Sequence, residues 1–361
     1  MPKLTEDFLS IVLNETPLLD VRAPIEFEKG AFTHTTNIPI LEDKERHLVG
    51  TEYKKNGNEA AVALAEELIK ESGKEERVTK WLGYLRENPS AILYCFRGGQ
   101  RSGIAQEWLR ESGREIVRIK GGYKAFRNYL LEESLRASAE LQTLILGGRT
   151  GSGKTILLQE LENMIDLEGL ANHRGSSFGN FAQTQTSQID FENNLAYALI
   201  QKQHAGVKKI IIEHESHNIG QCFMPKELYQ NLMQGKLIIL HTPMERRVEI
   251  THKEYVLNAI EEYTKEYGDA GVEMWAERTL LSLKKIRKRV GDERHTKLHT
   301  LFSDALLAYR NGGDLDNFRE FIEILLREYY DPMYDYQIQK SPIEVIFEGN
   351  AQEVKAFLEK V

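Results

Sequence analysis

The chain has 361 residues, enough for two domains that each bury a core, and its 41% hydrophobic and 28% charged content is that of an ordinary globular protein. No run of eighteen apolar residues occurs, and the opening stretch is amphipathic with early acids, which argues against a membrane span and a signal peptide. A net charge of −8 argues against nucleic acid as a partner unless cations cluster locally; with only Cys95 and Cys222, a reducing cytoplasm is the expected setting rather than a disulfide scaffold.

In chain order, residues 17–21 and 91–94 read as short buried strands, with helical periodicity over 59–70 between them. A helix begins at 104–109, a strand follows at 115–119, and Gly121-Gly122 breaks it before a charged helical connector over 123–140. Strands are next expected at 141–146, 208–213 and 236–240. A helix is expected at 156–164, an almost wholly helical stretch from 244, a strand at 343–347 and a short helix at 351–360. Strands alternating with helices predict an α/β protein with mainly parallel sheets. The boundary is expected near residue 135, dividing the chain into 1–135 and 136–361, the second part carrying a helical insertion at about 244–335.

Tyr94-Cys95-Phe96-Arg97-Gly98-Gly99-Gln100-Arg101-Ser102-Gly103 leaves a buried strand and enters a helix. Backbone N–H groups curled around Cys95, the helix N-terminus, and Arg97 or Arg101 would favour a thiolate. The same cradle would hold an anion against the sulfur, and Gly98 and Gly99 let the loop close without Cβ clashes. A free cysteine is more often a small buried hydrophobe; that role fits Cys222, whose neighbours carry no such pattern. The Cys95 loop resembles that of the rhodanese family. The resemblance extends over roughly residues 5–130 through Asp20-Val21-Arg22, Glu26-Phe27, Gly30-Ala31-Phe32 and Asn37-Ile38-Pro39. It implies that Cys95 is a chalcogen-carrying nucleophile. Cys-x5-Arg is also the spacing of cysteine phosphatases, but these place His before the cysteine, where this chain has Tyr94.

Gly148-Arg149-Thr150-Gly151-Ser152-Gly153-Lys154-Thr155 matches the P-loop at every fixed position, between an expected strand and an expected helix. Its backbone N–H groups and Lys154 would cradle phosphate, and Thr155 stands where a hydroxyl takes Mg²⁺. A P-loop NTPase-like α/β domain with a helical C-terminal region follows from this. Candidates for a second phosphate or substrate site are His173, Arg174 and Ser176 in a glycine-rich loop; Glu213, Glu215 and Ser216 after an apolar strand; and Arg246 and Arg247. A connecting role is the other reading for the 173–179 loop and a helix-surface role for Arg246 and Arg247, while the strand ending in Glu213 is like a Walker B element. Lys284, Lys285, Arg287, Lys288 and Arg289 form a basic stretch that permits RNA binding, a solvated helix face being the alternative.

A rhodanese loop followed by a P-loop, with His173-Arg174-Gly175-Ser176-Ser177-Phe178-Gly179, Glu213-x-Glu215-Ser216 and Tyr329-Tyr330-Asp331-Pro332-Met333-Tyr334, resembles the tRNA 2-selenouridine synthases across essentially the whole chain. The resemblance implies a cytoplasmic transferase acting on tRNA that bears 2-thiouridine at the wobble position. Its two steps are S-geranylation by geranyl diphosphate and displacement of the geranylthiol by selenophosphate. No tightly bound cofactor or metal is implied, Mg²⁺ at the P-loop is a candidate, and a selenophosphate-supplying enzyme is a candidate partner. An apolar groove would take the prenyl chain, with Tyr329, Tyr330, Tyr334 and Tyr336 as candidates for it or for base stacking. One departure is His217, where the family pattern has Arg. The competing reading is a P-loop kinase or nucleotidase with an accessory rhodanese sulfurtransferase domain. A non-catalytic RNA-binding module is disfavoured by the intact Cys95 loop.

Overall fold

A computed structural model describes residues 3–179 and 181–360. They form two compact units: residues up to Ala137 together with Ser187–Gly206, and Ser138–Thr186 together with Val207 onward. The helix Gln188–His204 thus lies beyond the expected boundary in sequence yet belongs to the first unit. The cause is its apolar face. Ala196, Tyr197 and Ile200 are buried against Ile11, Val12, Phe126 and Leu130, and Arg127 donates to Asn193 at 2.7 Å.

The first unit is built on a five-stranded parallel sheet. In chain order its strands are β1 (Leu4–Thr5), β2 (Leu18–Asp20), β3 (Thr35–Asn37), β4 (Ile92–Tyr94) and β5 (Val117–Ile119), arranged β1-β5-β4-β2-β3. The expected helix at 59–70 is the end of a longer one, Asp43–Ser72, broken at Gly57 where φ is 84°. Leu19, Leu93, Trp81 and Leu109 lie in the core on one side of the sheet, and Phe32, Tyr94 and Phe126 in that on the other. Asp20 and Arg22 are both buried and paired at 2.7 Å, the Arg22 guanidinium 4.1 Å above the Tyr123 ring.

The second unit has β6 (Gln142–Gly147), β7 (Met164–Ile165), β8 (Lys209–Glu213), a small hairpin β9–β10 (Asn218–Ile219, Cys222–Phe223), β11 (Lys236–Leu240) and β12 (Val345–Gly349). The main sheet runs β12-β11-β6-β8-β7 and is parallel throughout. The chain crosses from β6 to neighbours on opposite sides, so the carboxyl end of β6 is a switch point where a crevice opens. The expected helix at 156–164 is instead the short Lys154–Leu158, and Met164 already belongs to β7, pairing with Ile211. Helices from Met244 to Lys340 form a separate cluster with its own apolar core.

Candidate functional site

In the first unit Cys95 follows β4 and is 3% exposed. Its thiol donates to Ser102 Oγ at 3.1 Å, and Ser102 donates onward to the Gly99 carbonyl at 3.3 Å. The N–H groups of Phe96, Arg97, Gly98 and Gly99 have no acceptor among the described residues. The carbonyls of Gly98 and Gly99 are taken instead by Arg118 Nη1, at 3.0 and 2.8 Å. With its carbonyls held from β5, the loop keeps N–H groups available to an anion. Gly98, at φ 61°, is pressed against a turn: a Cβ there would sit 2.7 Å from Gly122 N, and one on Gly122 would sit 2.2 Å from Gly98 N. Arg101 is clamped by Glu26 through contacts of 2.5 and 3.1 Å, whereas Arg97 is exposed. Arg118 escaped the sequence reading because it lies sixteen or more residues from its partners.

In the second unit β6 runs straight into the 148–153 loop. Gly151 and Gly153 have φ of 77° and 83°, as a backbone wrapped around phosphate requires. Lys154 Nζ donates to the Gly148 carbonyl at 3.1 Å, and Thr155 Oγ1 donates to Glu213 Oε1 at 2.8 Å. Glu213 closes β8 fully buried and also accepts the Glu168 N–H at 3.3 Å. Glu168, absent from the expected set, and Glu215 converge on Gly175. A Cβ there would lie 1.9 Å from Glu168 Oε1 and 3.0 Å from Glu215 Oε1. Burial pushes Glu213 up to about 8, with the Glu168 charge adding to it. Burial and then the Glu215 charge push Glu168 up to about 8; burial raises Glu215 to about 7 against the opposing pull of Lys154. Burial holds His173 and His214 below the usual imidazole range, helped by Arg174 and Lys154 respectively.

The remaining expected residues divide sharply. His173 Nδ1 accepts the Gly175 N–H at 3.1 Å and shapes its own loop. Arg174 is tied to Glu262 at 2.6 Å and lies over Phe181, so its charge is already matched. Ser216 caps the turn to Asn218 and is exposed. Arg246 turns outward to Glu249 and does not reach the P-loop, because successive helix residues point in different directions. Arg247, 2% exposed, grips Asp331 through two contacts of 2.9 and 2.6 Å and donates Nε to the Thr150 carbonyl at 3.0 Å. It braces the P-loop. Arg149 pairs with Asp335 at 2.8 Å.

Beside the P-loop lies a narrow apolar cavity, bordered by Thr150, Arg174 and Ser176 and continued by Phe178, Tyr255, Val256, Trp275, Phe302, Phe318, Phe321 and Tyr330. Two of its walls are single π-helical turns, Lys253–Leu257 and Leu326–Tyr330, a distortion found often at functional sites. Of the four expected tyrosines, Tyr330 lines this cavity. Tyr329 is packed in the core, Tyr334 faces a polar cleft on the β11–β12 side of the P-loop, and Tyr336 is 56% exposed. No sequence pattern marks the cavity, since its lining comes from six separate segments.

Lys284, Lys285, Lys288 and Arg289 are exposed on the helix Gly271–Val290 without an acidic partner among the described residues, while Arg287 pairs with Asp292 at 2.7 Å. No group of three His, Cys, Asp or Glu side chains among the described residues is arranged to hold a metal ion, and none of their helices is long and apolar enough to cross a membrane.

A cysteine cradled by free backbone amides in one unit and a P-loop backed by buried carboxyls in the other define a rhodanese-like, P-loop fusion protein. The rhodanese-like domain model matches residues 5–129, and the model described as the tRNA 2-selenouridine synthase AAA domain matches residues 141–361. A tRNA 2-selenouridine synthase of Sulfurovum sp. (strain NBC37-1) is 51% identical over 99% of this chain and 98% of its own length. Those of Hydrogenovibrio crunogenus and Pseudomonas fluorescens are 46% and 44% identical over 98% and 99% of this chain, each across 98% of its own length. The chain belongs to the tRNA 2-selenouridine synthase family, and is an enzyme of tRNA modification.

Proposed function

We propose that this enzyme converts wobble 2-thiouridine of tRNA to 2-selenouridine in two steps. Geranyl diphosphate first alkylates the thiocarbonyl sulfur, releasing diphosphate; the selenium of selenophosphate then displaces the geranylthiol, and water cleaves the Se–P bond to release phosphate. In this reading the P-loop N–H groups and Lys154 hold the diphosphate, and the adjoining cavity takes the geranyl chain. Cys95 and its amide cradle hold the selenophosphate anion for the second step. The observation that carries the reading is the apolar cavity opening at Thr150 of the P-loop, since a prenyl diphosphate has one anionic and one hydrocarbon end. Thr155 and Glu213, 2.8 Å apart, are oxygen donors of the kind Mg²⁺ takes, and a dication there would offset the diphosphate charge. The exposed cations Lys284, Lys285, Lys288 and Arg289 would contact tRNA phosphates, with Arg287 released from Asp292.

Replacing Lys154 with Ala removes a preorganised charge from the leaving diphosphate. Such losses cost on the order of 3 kcal/mol, or about a hundredfold in rate. Single-turnover geranyl transfer to an oligonucleotide bearing 2-thiouridine measures it, and an unchanged rate detaches the P-loop from this step. The kinase or nucleotidase reading draws on the polar cleft at the ends of β11 and β12, lined by Arg149, Ser152, Thr242 and Glu348. Nucleotide hydrolysis by the purified wild type, with no geranyl transfer, would favour it.

A further inference from the structure

Two hydroxyls facing the cavity by the P-loop lack hydrogen-bond partners. Thr251 is 5% exposed and Tyr330 4%, and neither Thr251 Oγ1 nor the Tyr330 hydroxyl is satisfied within the protein. Leaving a buried polar group unpaired costs about 1–3 kcal/mol, so a pair on one wall calls for an explanation. Both belong to the cavity that Thr150 borders. A Cβ on Gly151 would sit 2.3 Å from Thr251 Oγ1, which places this hydroxyl directly against the P-loop backbone. Tyr330 is anchored at the same end, because its neighbour Asp331 is gripped by Arg247, which also holds the Thr150 carbonyl. Its hydroxyl lies beside the Ser176 hydroxyl, the Ser177 backbone and Tyr255 without a well-aligned bond to any of them, and Tyr255 is already spent on the Arg174 carbonyl at 3.2 Å.

Resting on the geranyl diphosphate reading, we propose that Thr251 and Tyr330 are catalytic hydrogen-bond donors to the diphosphate oxygen attached to the first prenyl carbon, at the seam between the P-loop and the apolar cavity. In the step they assist, the sulfur lone pair of 2-thiouridine forms the S–C bond. The C–O bond breaks with its electron pair going to the diphosphate oxygen, and the N3 proton of the base is released to water. The hydroxyls transfer no proton; they stabilise negative charge as it gathers on that oxygen. Burial and the neighbouring Tyr255 hold the Tyr330 phenol well above its ordinary range, so it remains a donor throughout.

The test compares Tyr330→Phe, Thr251→Val and Thr251→Ser with wild type. The readouts are single-turnover transfer from geranyl diphosphate to a 2-thiouridine oligonucleotide, calorimetric binding of inorganic pyrophosphate, and thermal melting. Tyr330→Phe and Thr251→Val are each expected to slow transfer tenfold or more, with pyrophosphate affinity within threefold of wild type. Their melting temperatures should be equal to or above wild type, because an unsatisfied group has been removed. Thr251→Ser is expected to keep the rate within threefold. Wild-type rates in both hydroxyl-free variants would overturn the proposal. So would slower transfer matched by lower melting and weaker pyrophosphate binding, which marks a structural role. A wild type that transfers no geranyl sinks the geranyl reading and this proposal together; a wild type that transfers alongside indifferent variants sinks this proposal alone.

Discussion

Replacing Arg247 with Met is expected to destabilise the second unit and loosen its P-loop together. Arg247 is 2% exposed and Asp331 8%, and their two contacts of 2.9 and 2.6 Å form a bidentate pair. Removing one partner from a buried pair strands the other charge, at about 3–5 kcal/mol. Arg149, 3.7 Å from Asp331 and 45% exposed, offers partial compensation, which favours the lower end of that range. At roughly 2–4 °C per kcal/mol for a unit of this size, the second unit should melt about 6–15 °C lower. The lost Nε bond to the Thr150 carbonyl should weaken pyrophosphate binding as well. Differential scanning calorimetry on the full chain, with urea unfolding as a second measure, reads the stability; calorimetric titration reads the affinity. Asp331→Asn should cost a similar amount, and the Arg247→Met/Asp331→Asn double variant much less than the two singles added together. Additive costs would show that the pair is not coupled and that each residue acts through packing alone.

Three further outcomes follow from the sites. Cys95→Ala should abolish selenium incorporation into tRNA, measured by nucleoside mass spectrometry, while lowering stability by only about 1 kcal/mol because the side chain is small; wild-type 2-selenouridine in this variant would remove Cys95 from the chemistry. Glu213→Gln should show a pH-dependent stability difference. The folded carboxyl is raised to about 8 from 4.5, so the stability its protonated form contributes is full below pH 4.5 and lost as pH rises toward 8. The variant should therefore gain on wild type by roughly 3 kcal/mol between pH 5 and 8, and a flat difference across that range would show that Glu213 ionises normally. Reversing Lys284, Lys285 and Lys288 should weaken tRNA binding and flatten its salt dependence by roughly one unit of slope per lost contact, alike for cognate and non-cognate tRNA; identical slopes in filter binding would place the RNA on another surface.

What the sequence by itself determined are the features that local chemistry encodes. The P-loop is legible because its glycines, Lys154 and Thr155 are contiguous, and the flanking β6 and helix start are set by the same short stretch. The Cys95 loop is legible for the same reason, down to the turn at Gly121-Gly122 that packs against Gly98. The alternation of strands and helices was enough for two parallel α/β sheets. Tertiary structure alone decided which arginines are available. Arg101, Arg149, Arg174 and Arg247 are all committed to carboxylates distant in sequence, and Arg246 and Arg247, adjacent in the chain, end in solvent and in the core. It also decided where Gln188–His204 packs, since an amphipathic helix shows that one face will be covered but not by what. The cavity at the P-loop, with its unpaired hydroxyls at Thr251 and Tyr330, exists only because segments more than a hundred residues apart are packed together. Spacing in sequence carries periodicity and turn chemistry; burial, charge pairing and enclosed volume depend on which surfaces meet, and those meetings are made only in the folded chain.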